Sequence, residues 1–123
     1  MNIDERISIP GLVPTGRGRL ALTGHEKKVV ASVWTHNEPE YHWFIVMIRV
    51  HPALRGQGLA RKVLELIIAE ADRQGVPLRL TVEPTRPVGL DYEQLVTWYR
   101  RYGFVFVPEY DGYMMERKAP SVP

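Results

Sequence analysis

IVMIRVHPALRGQGLARKVLELIIAEA, residues 45–71 of a 123-residue chain, decides the fold. Apolar residues long enough for a buried strand run up to Pro52. The chain then enters Arg55-Gly56-Gln57-Gly58-Leu59-Ala60 and continues with apolar residues at helical spacing. A strand feeding a glycine turn that starts a helix is an anion site. The first-turn N–H groups have no intrahelical acceptors, and the helix dipole adds positive potential there. Gly56 and Gly58 let an anion approach the main chain closely. Arg49, Arg55, Arg61 and Lys62 surround the turn, and no carboxylate stands between Tyr41 and Glu65.

Downstream, Leu59, Ala60, Val63, Leu64, Ile67, Ile68 and Ala71 form the apolar stripe of the helix, while Arg61, Lys62, Glu65, Asp72 and Arg73 are expected to face water. Gly75 is the left-handed stop, and Pro77 follows. Residues 78–82 read as a buried strand parallel to the one over 41–50, joined to it by a right-handed crossover. Residues 83–89 are a proline-rich loop. Asp91 and Gln94 form a capping-box pair for a second helix with Leu95, Trp98, Tyr99 and Tyr102 on its apolar face and Gly103 at its end. Residues 104–107 and 113–116 alternate as a final hairpin around Asp111-Gly112, and 118–123 are a loose tail.

Upstream, residues 19–23 and 28–34 read as paired strands, 37–40 as a polar break, 11–18 as irregular, and 6–9 as a short strand. The sum is α+β: a mixed, mostly antiparallel sheet with a central parallel pair and two main helices, expected as one domain over 1–123. Hydrophobic content of 45% with 24% charge is that of a globular protein. The chain holds no cysteine, which excludes disulfides, thiolate metal sites and a cysteine nucleophile. His25, His36, His42 and His51 lack carboxylates at ligand spacing, so no metal is expected. No apolar run spans a membrane and MNIDERISIP lacks a signal-peptide core, so the expected location is cytoplasmic. A net charge of +2 suits an anionic cofactor and nucleic acid equally. The cations cluster at one helix start rather than in a stripe, which disfavours nucleic acid.

Val50-x-Pro52-x-x-Arg55-Gly56-x-Gly58-x-Ala60 resembles the pyrophosphate loop of the GCN5-related N-acetyltransferases (GNAT family), and Trp98-Tyr99-Arg100-Arg101-Tyr102-Gly103-Phe104 resembles that family's later Y-x-x-x-G-F segment. The resemblance covers about residues 19–117. It implies acetyl-CoA as cofactor, with the amides of Arg55, Gly56, Gln57, Gly58, Leu59 and Ala60 around the pyrophosphate and Arg49 and Arg61 adding charge. Ile48 and Val50 would offer main-chain groups to the pantetheine arm where the central strands splay. Family members usually carry a strand and two helices before the equivalent of the strand at Lys28. Here fewer than thirty residues precede it, so the N-terminal helices are expected to be missing and the acceptor side to be open. Small phage-encoded acetyltransferases, one of which disables CRISPR nucleases by acetylating a lysine, are similar in length, in the loop before the second helix, and in Asp111-Gly112-x-x-Met115.

The resemblance places Tyr99 at the tyrosine whose hydroxyl lies near the cofactor sulfur, as general acid. For the base, His42 stands thirteen residues before Arg55, where family branches carry a catalytic glutamate or histidine on this strand, and an ordinary imidazole titrates near neutrality. Glu83, at the mouth of the next strand, and Glu40 are rivals that act through water. These parts suit direct attack of an amine on the thioester. The expected acceptor is a protein lysine or N-terminus, with a small amine such as a polyamine, amino acid or aminoglycoside, or a non-catalytic binding module, as alternatives. A twofold dimer is also compatible with the resemblance, because an open acceptor wall can be completed in trans.

Overall fold

A computed structural model of the chain describes residues 7–16, 18–24, 26, 28–38, 42–83, 90–110 and 112–120. Seven strands form one sheet in the order β1-β2-β3-β4-β5-β7-β6. They are β1 (Val13–Gly16), β2 (Arg19–Thr23), β3 (Val29–Glu38), β4 (His42–Val50), β5 (Leu78–Thr81), β6 (Val105–Phe106) and β7 (Met114–Arg117). The helices are α1 (Leu59–Gln74), between β4 and β5, and α2 (Tyr92–Arg101), between β5 and β6. Among the described residues β4 and β5 pair in parallel, and the other neighbouring pairs are antiparallel.

The local signals that start and stop the helices act as the residue types dictate. Gly75 is left-handed (φ 71°) and its N–H donates to the carbonyls of Ala71 and Asp72, closing α1. Asp91 accepts from the Gln94 N–H at 2.8 Å while the Gln94 side chain accepts from the Asp91 N–H at 3.0 Å, a complete capping box. The stripe Val63, Leu64, Ile67 and Ala71 is fully buried against Leu22, Ala31, Val33, Ile45, Leu78 and Leu80 of the sheet. Each of these larger aliphatic side chains contributes roughly 1.5–3 kcal/mol on burial.

Several expectations need correction. Residues 7–9 form no strand. Ile7 and Ile9 are instead buried in the core, and the Leu12 N–H donates to the Ile9 carbonyl in a turn. Within 11–18, expected to be irregular, β1 pairs with β2; as an edge strand it tolerates Pro14. β3 runs through two residues of the supposed polar break, opposite Trp43 and His42, while 39–41 lie outside the described residues. The last hairpin is interrupted: β6 has two residues, and Pro108–Tyr110 makes a 3-10 turn before β7, which inserts between β5 and β6. The expected loop over 83–89 and the tail after 120 lie largely outside the described residues.

Asp72 does not simply face water. Arg117 forks onto it at 2.5 and 3.1 Å and also donates through Nε to the Tyr102 carbonyl at 2.7 Å, so β7, α1 and the end of α2 are clasped on one face of the sheet. Glu70 is buried on α1, its carboxylate taken by Arg73 and Gln74, and the Arg73 hydrogen bond is the main reason its pKa falls to about 2. Arg117→Ala strands the Asp72 carboxylate and a carbonyl in a half-buried site. It should lower stability by about 2–4 kcal/mol, read as a lower urea midpoint at unchanged m-value. Arg117→Lys should recover only part, because an ammonium cannot serve both partners as a fork does.

Candidate active site

The parallel pair opens as a V. β4 pairs with β5 only at Trp43, Phe44 and Ile45, opposite Leu78, Arg79 and Leu80. The register between β3 and β4 then shifts: Thr35 faces Ile45 and Trp34 faces Met47, leaving Val46 as an extra residue. A bulge bends and twists its strand, and from Val46 to Val50 the β4 backbone has no β5 partner. Ile48 and Val50 therefore present main chain along an unpaired edge, with their side chains half-buried against the core. Nothing in the residue pattern announced the bulge.

At the mouth of the V, β4 passes into a turn built by local bonds. The His51 carbonyl accepts from the Leu54 N–H at 2.8 Å, and its Nδ1 accepts from the Ala53 N–H at 3.2 Å, rounding Pro52–Leu54 into one 3-10 turn. Arg55 is extended; Gly56 (φ 84°) and Gly58 (φ 74°) are left-handed. Gly58 is the N-cap of α1, with no side-chain capping bond and no acidic residue in the first turn. The first intrahelical bond runs from the Lys62 N–H to the Gly58 carbonyl, which leaves the N–H groups of Leu59, Ala60 and Arg61 without helix acceptors. A methyl group built on Gly56 or Gly58 would meet nothing within 4 Å. Among the described residues the space over both glycines is thus open, next to a helix start whose first N–H groups have no helical acceptor.

Arg49, Arg55, Gln57 and Lys62 are exposed around this turn, whereas Arg61 is drawn 3.4 Å from Glu65, a surface pair worth little. The turn residues His51, Ala53 and Gln57 border a cavity of about 550 Å³ that reaches the ends of β2 and β3. Leu22, Val29, Leu54 and Leu59 supply its apolar lining, and Lys28 and Lys62 its charge.

Tyr99 sits on α2, which follows β5. Its ring packs edge-on to Phe104 at 5.6 Å and tilts against Trp98 at 5.1 Å. Burial pushes its hydroxyl up to about 12, so the group is protonated at any physiological pH. The neighbouring Tyr102 hydroxyl is also raised, by burial and then by the charge of Glu65. The backbone of His42 starts β4 opposite Glu38, on the paired side of the V, four residues before Val46 and roughly 13 Å along the strand from it. Glu83 is exposed just past β5, at the mouth. Glu40 lies outside the described residues.

A seven-stranded α+β sheet whose parallel pair parts around a bulge, with an uncapped helix start at the opening, defines the acetyltransferase fold class. The sequence profile of the acetyltransferase (GNAT) family matches residues 12–104, and the chain belongs to that family. Among solved structures it is similar to the Escherichia coli ribosomal-protein-S18-alanine N-acetyltransferase (TM-score 0.63, 22% identity, 93% of this chain and 73% of that one). It is also similar to the anti-CRISPR protein AcrVA5 (TM-score 0.62, 21% identity, 80% of this chain and 97% of that one). A third likeness is to a histone acetyltransferase HPA2 and related acetyltransferase from Corynebacterium glutamicum (TM-score 0.62, 19% identity). The match covers 85% of this chain but only 65% of that longer one. No curated protein matches the sequence. Among the described residues no helix is long and apolar enough to cross a membrane.

Proposed function

We propose that the protein transfers an acetyl group from acetyl-CoA to a primary amine by direct attack on the thioester. One observation carries this reading: an uncapped helix start with two open, left-handed glycines stands where β4 parts from β5. GNAT domains typically bind acetyl-CoA, and the residues present fit such an anion. Arg55, Gly56, Gln57, Gly58, Leu59 and Ala60 would hold the pyrophosphate, Arg49 and Arg61 would add charge, and Ile48 and Val50 would offer main chain to the pantetheine arm. The bound thioester supplies an activated acetyl group. Tyr99 would hold its hydroxyl proton for the sulfur that leaves. The amine loses its proton to Glu83 or His42, directly or through water; the position of Glu83 at the mouth favours it.

The acceptor is taken to be a protein lysine or N-terminus. Support comes from the clasp that gathers both helices on one sheet face, which leaves no helix over the other among the described residues. The E. coli neighbour is, by its name, a protein acetyltransferase. Calorimetric titration with acetyl-CoA followed by mass spectrometry of lysine peptides tests the reading. Binding with acetylated product is expected, and Glu83→Gln should lower kcat/KM more than His42→Ala. Failure of the folded protein to bind acetyl-CoA would overturn the proposal.

A further inference from the structure

The two sides of the V carry opposite chemistry. On the β4 side stand Arg49, Arg55 and Lys62, with no carboxylate before Glu65. On the β5 side, the Tyr92 hydroxyl donates to the Gly112 carbonyl at 2.6 Å and the Val82 N–H donates to the Tyr113 carbonyl at 2.8 Å. These two bonds gather the exit of β5, the start of α2 and the connection before β7 into one surface. Leu90 (42% exposed), Tyr92 (38%) and Tyr113 (64%) are exposed large hydrophobic residues there. Exposed Glu83, Glu93 and Glu109 lie on the same segments, and Asp91 caps α2. Residues 90–99 and 102–115 contain no lysine or arginine; Arg100, held over the Phe106 ring at 5.5 Å, and Arg101 stand between them in the last turn of α2, and Arg86 is the basic residue of 83–89, in a stretch outside the described residues.

Single exposed apolar side chains need no explanation, but an aromatic patch bordered by carboxylates marks a contact surface. We propose that this surface docks the acceptor as a cationic peptide segment, its target amine flanked by lysine or arginine. Tyr92 and Tyr113 offer ring faces to guanidinium and ammonium groups, and Glu83, Glu93 and Glu109 supply the opposite charge. The net charge of +2 works against such a peptide at long range. A basic peptide is repelled by the molecule as a whole, so any preference for it must arise locally. The inference rests on the acetyltransferase reading with a protein amine as acceptor.

The test is fluorescence anisotropy with labelled short peptides carrying one central lysine between arginine–glycine or glutamate–glycine flanks. The arginine-flanked peptide should bind about tenfold more tightly at low salt, as several rim charge pairs together allow. The advantage should disappear in Glu93→Lys/Glu109→Lys, while acetyl-CoA binding stays unchanged. Tyr113→Ala should weaken binding even at high salt, where the charge contribution is screened. Equal affinity for the two peptides, or a preference that survives the charge reversal, would overturn the inference. Acetyl transfer indifferent to the flanks would overturn it alone; preferential binding without any transfer would instead overturn the proposed function.

Discussion

Gly58→Trp should abolish measurable acetyl-CoA binding while leaving the fold intact. Position 58 holds φ 74°, where a residue with a Cβ is strained by about 1–2 kcal/mol. Among the described residues nothing lies within 4 Å of the added Cβ, so the backbone itself has room for a side chain and stability should fall by little more than that strain. The same open space is where a pyrophosphate would meet the N–H groups of Leu59 and Ala60. Filling it removes at least two charge-assisted hydrogen bonds, each worth about 1.5–3 kcal/mol, so Kd should rise more than a hundredfold. Gly58→Ala separates the two effects, because it carries the same strain with a far smaller obstruction. Its affinity should fall much less than that of the Trp variant. Calorimetry paired with thermal unfolding of all three proteins reads both quantities. Equal weakening by Ala and Trp would mean that backbone geometry, rather than access to the amides, governs the site.

What could be read in the residues and what could not divides along sequence separation. Gly75 as a stop, the Asp91–Gln94 box and the α1 stripe depend on neighbours three or four positions apart, and all stand in the structure as their residue types dictate. The turn from Val50 to Leu59 was legible for the same reason: proline, paired glycines and the absence of an acidic cap are local features. The parallel pairing of β4 and β5 followed from the crossover helix between them.

Non-local features left no such trace. Placing β7 between β5 and β6 depends on pairings across the sheet, and the bulge at Val46 exists only relative to β3. Asp72 looked like a surface residue because its partner, Arg117, is 45 positions away. β1 was hidden by Pro14 and its glycines, which signal a turn in any context except an edge strand. The acidic and aromatic residues of the proposed docking surface were equally hidden, since Glu83, Glu93 and Glu109 are dispersed in the chain and their segments are joined only by bonds such as that from Tyr92 to Gly112.

Tyr99→Phe should lower kcat about ten- to a hundredfold with little change in KM for either substrate. The magnitude follows from the environment of the hydroxyl. Packing against Trp98 and Phe104 holds its pKa near 12, well above the roughly 8.5 of an ordinary thiol. Complete transfer of the proton to a free thiolate would therefore run uphill by about 3.5 pH units, close to 5 kcal/mol. A hydrogen bond donated to the developing charge on sulfur costs no such transfer and is worth about 1.5–3 kcal/mol, which sets the expected range. The pH profile provides the independent check. Because burial raises the pKa, the donor is still protonated well above pH 10, so wild type and Tyr99→Phe should differ by a constant factor from pH 6 to 10. A ratio that shrinks as pH climbs toward 9 would show the tyrosine titrating in the working enzyme. It would then be acting as a true proton donor with a working pKa below that of the buried hydroxyl, and the larger losses of general acid catalysis would follow.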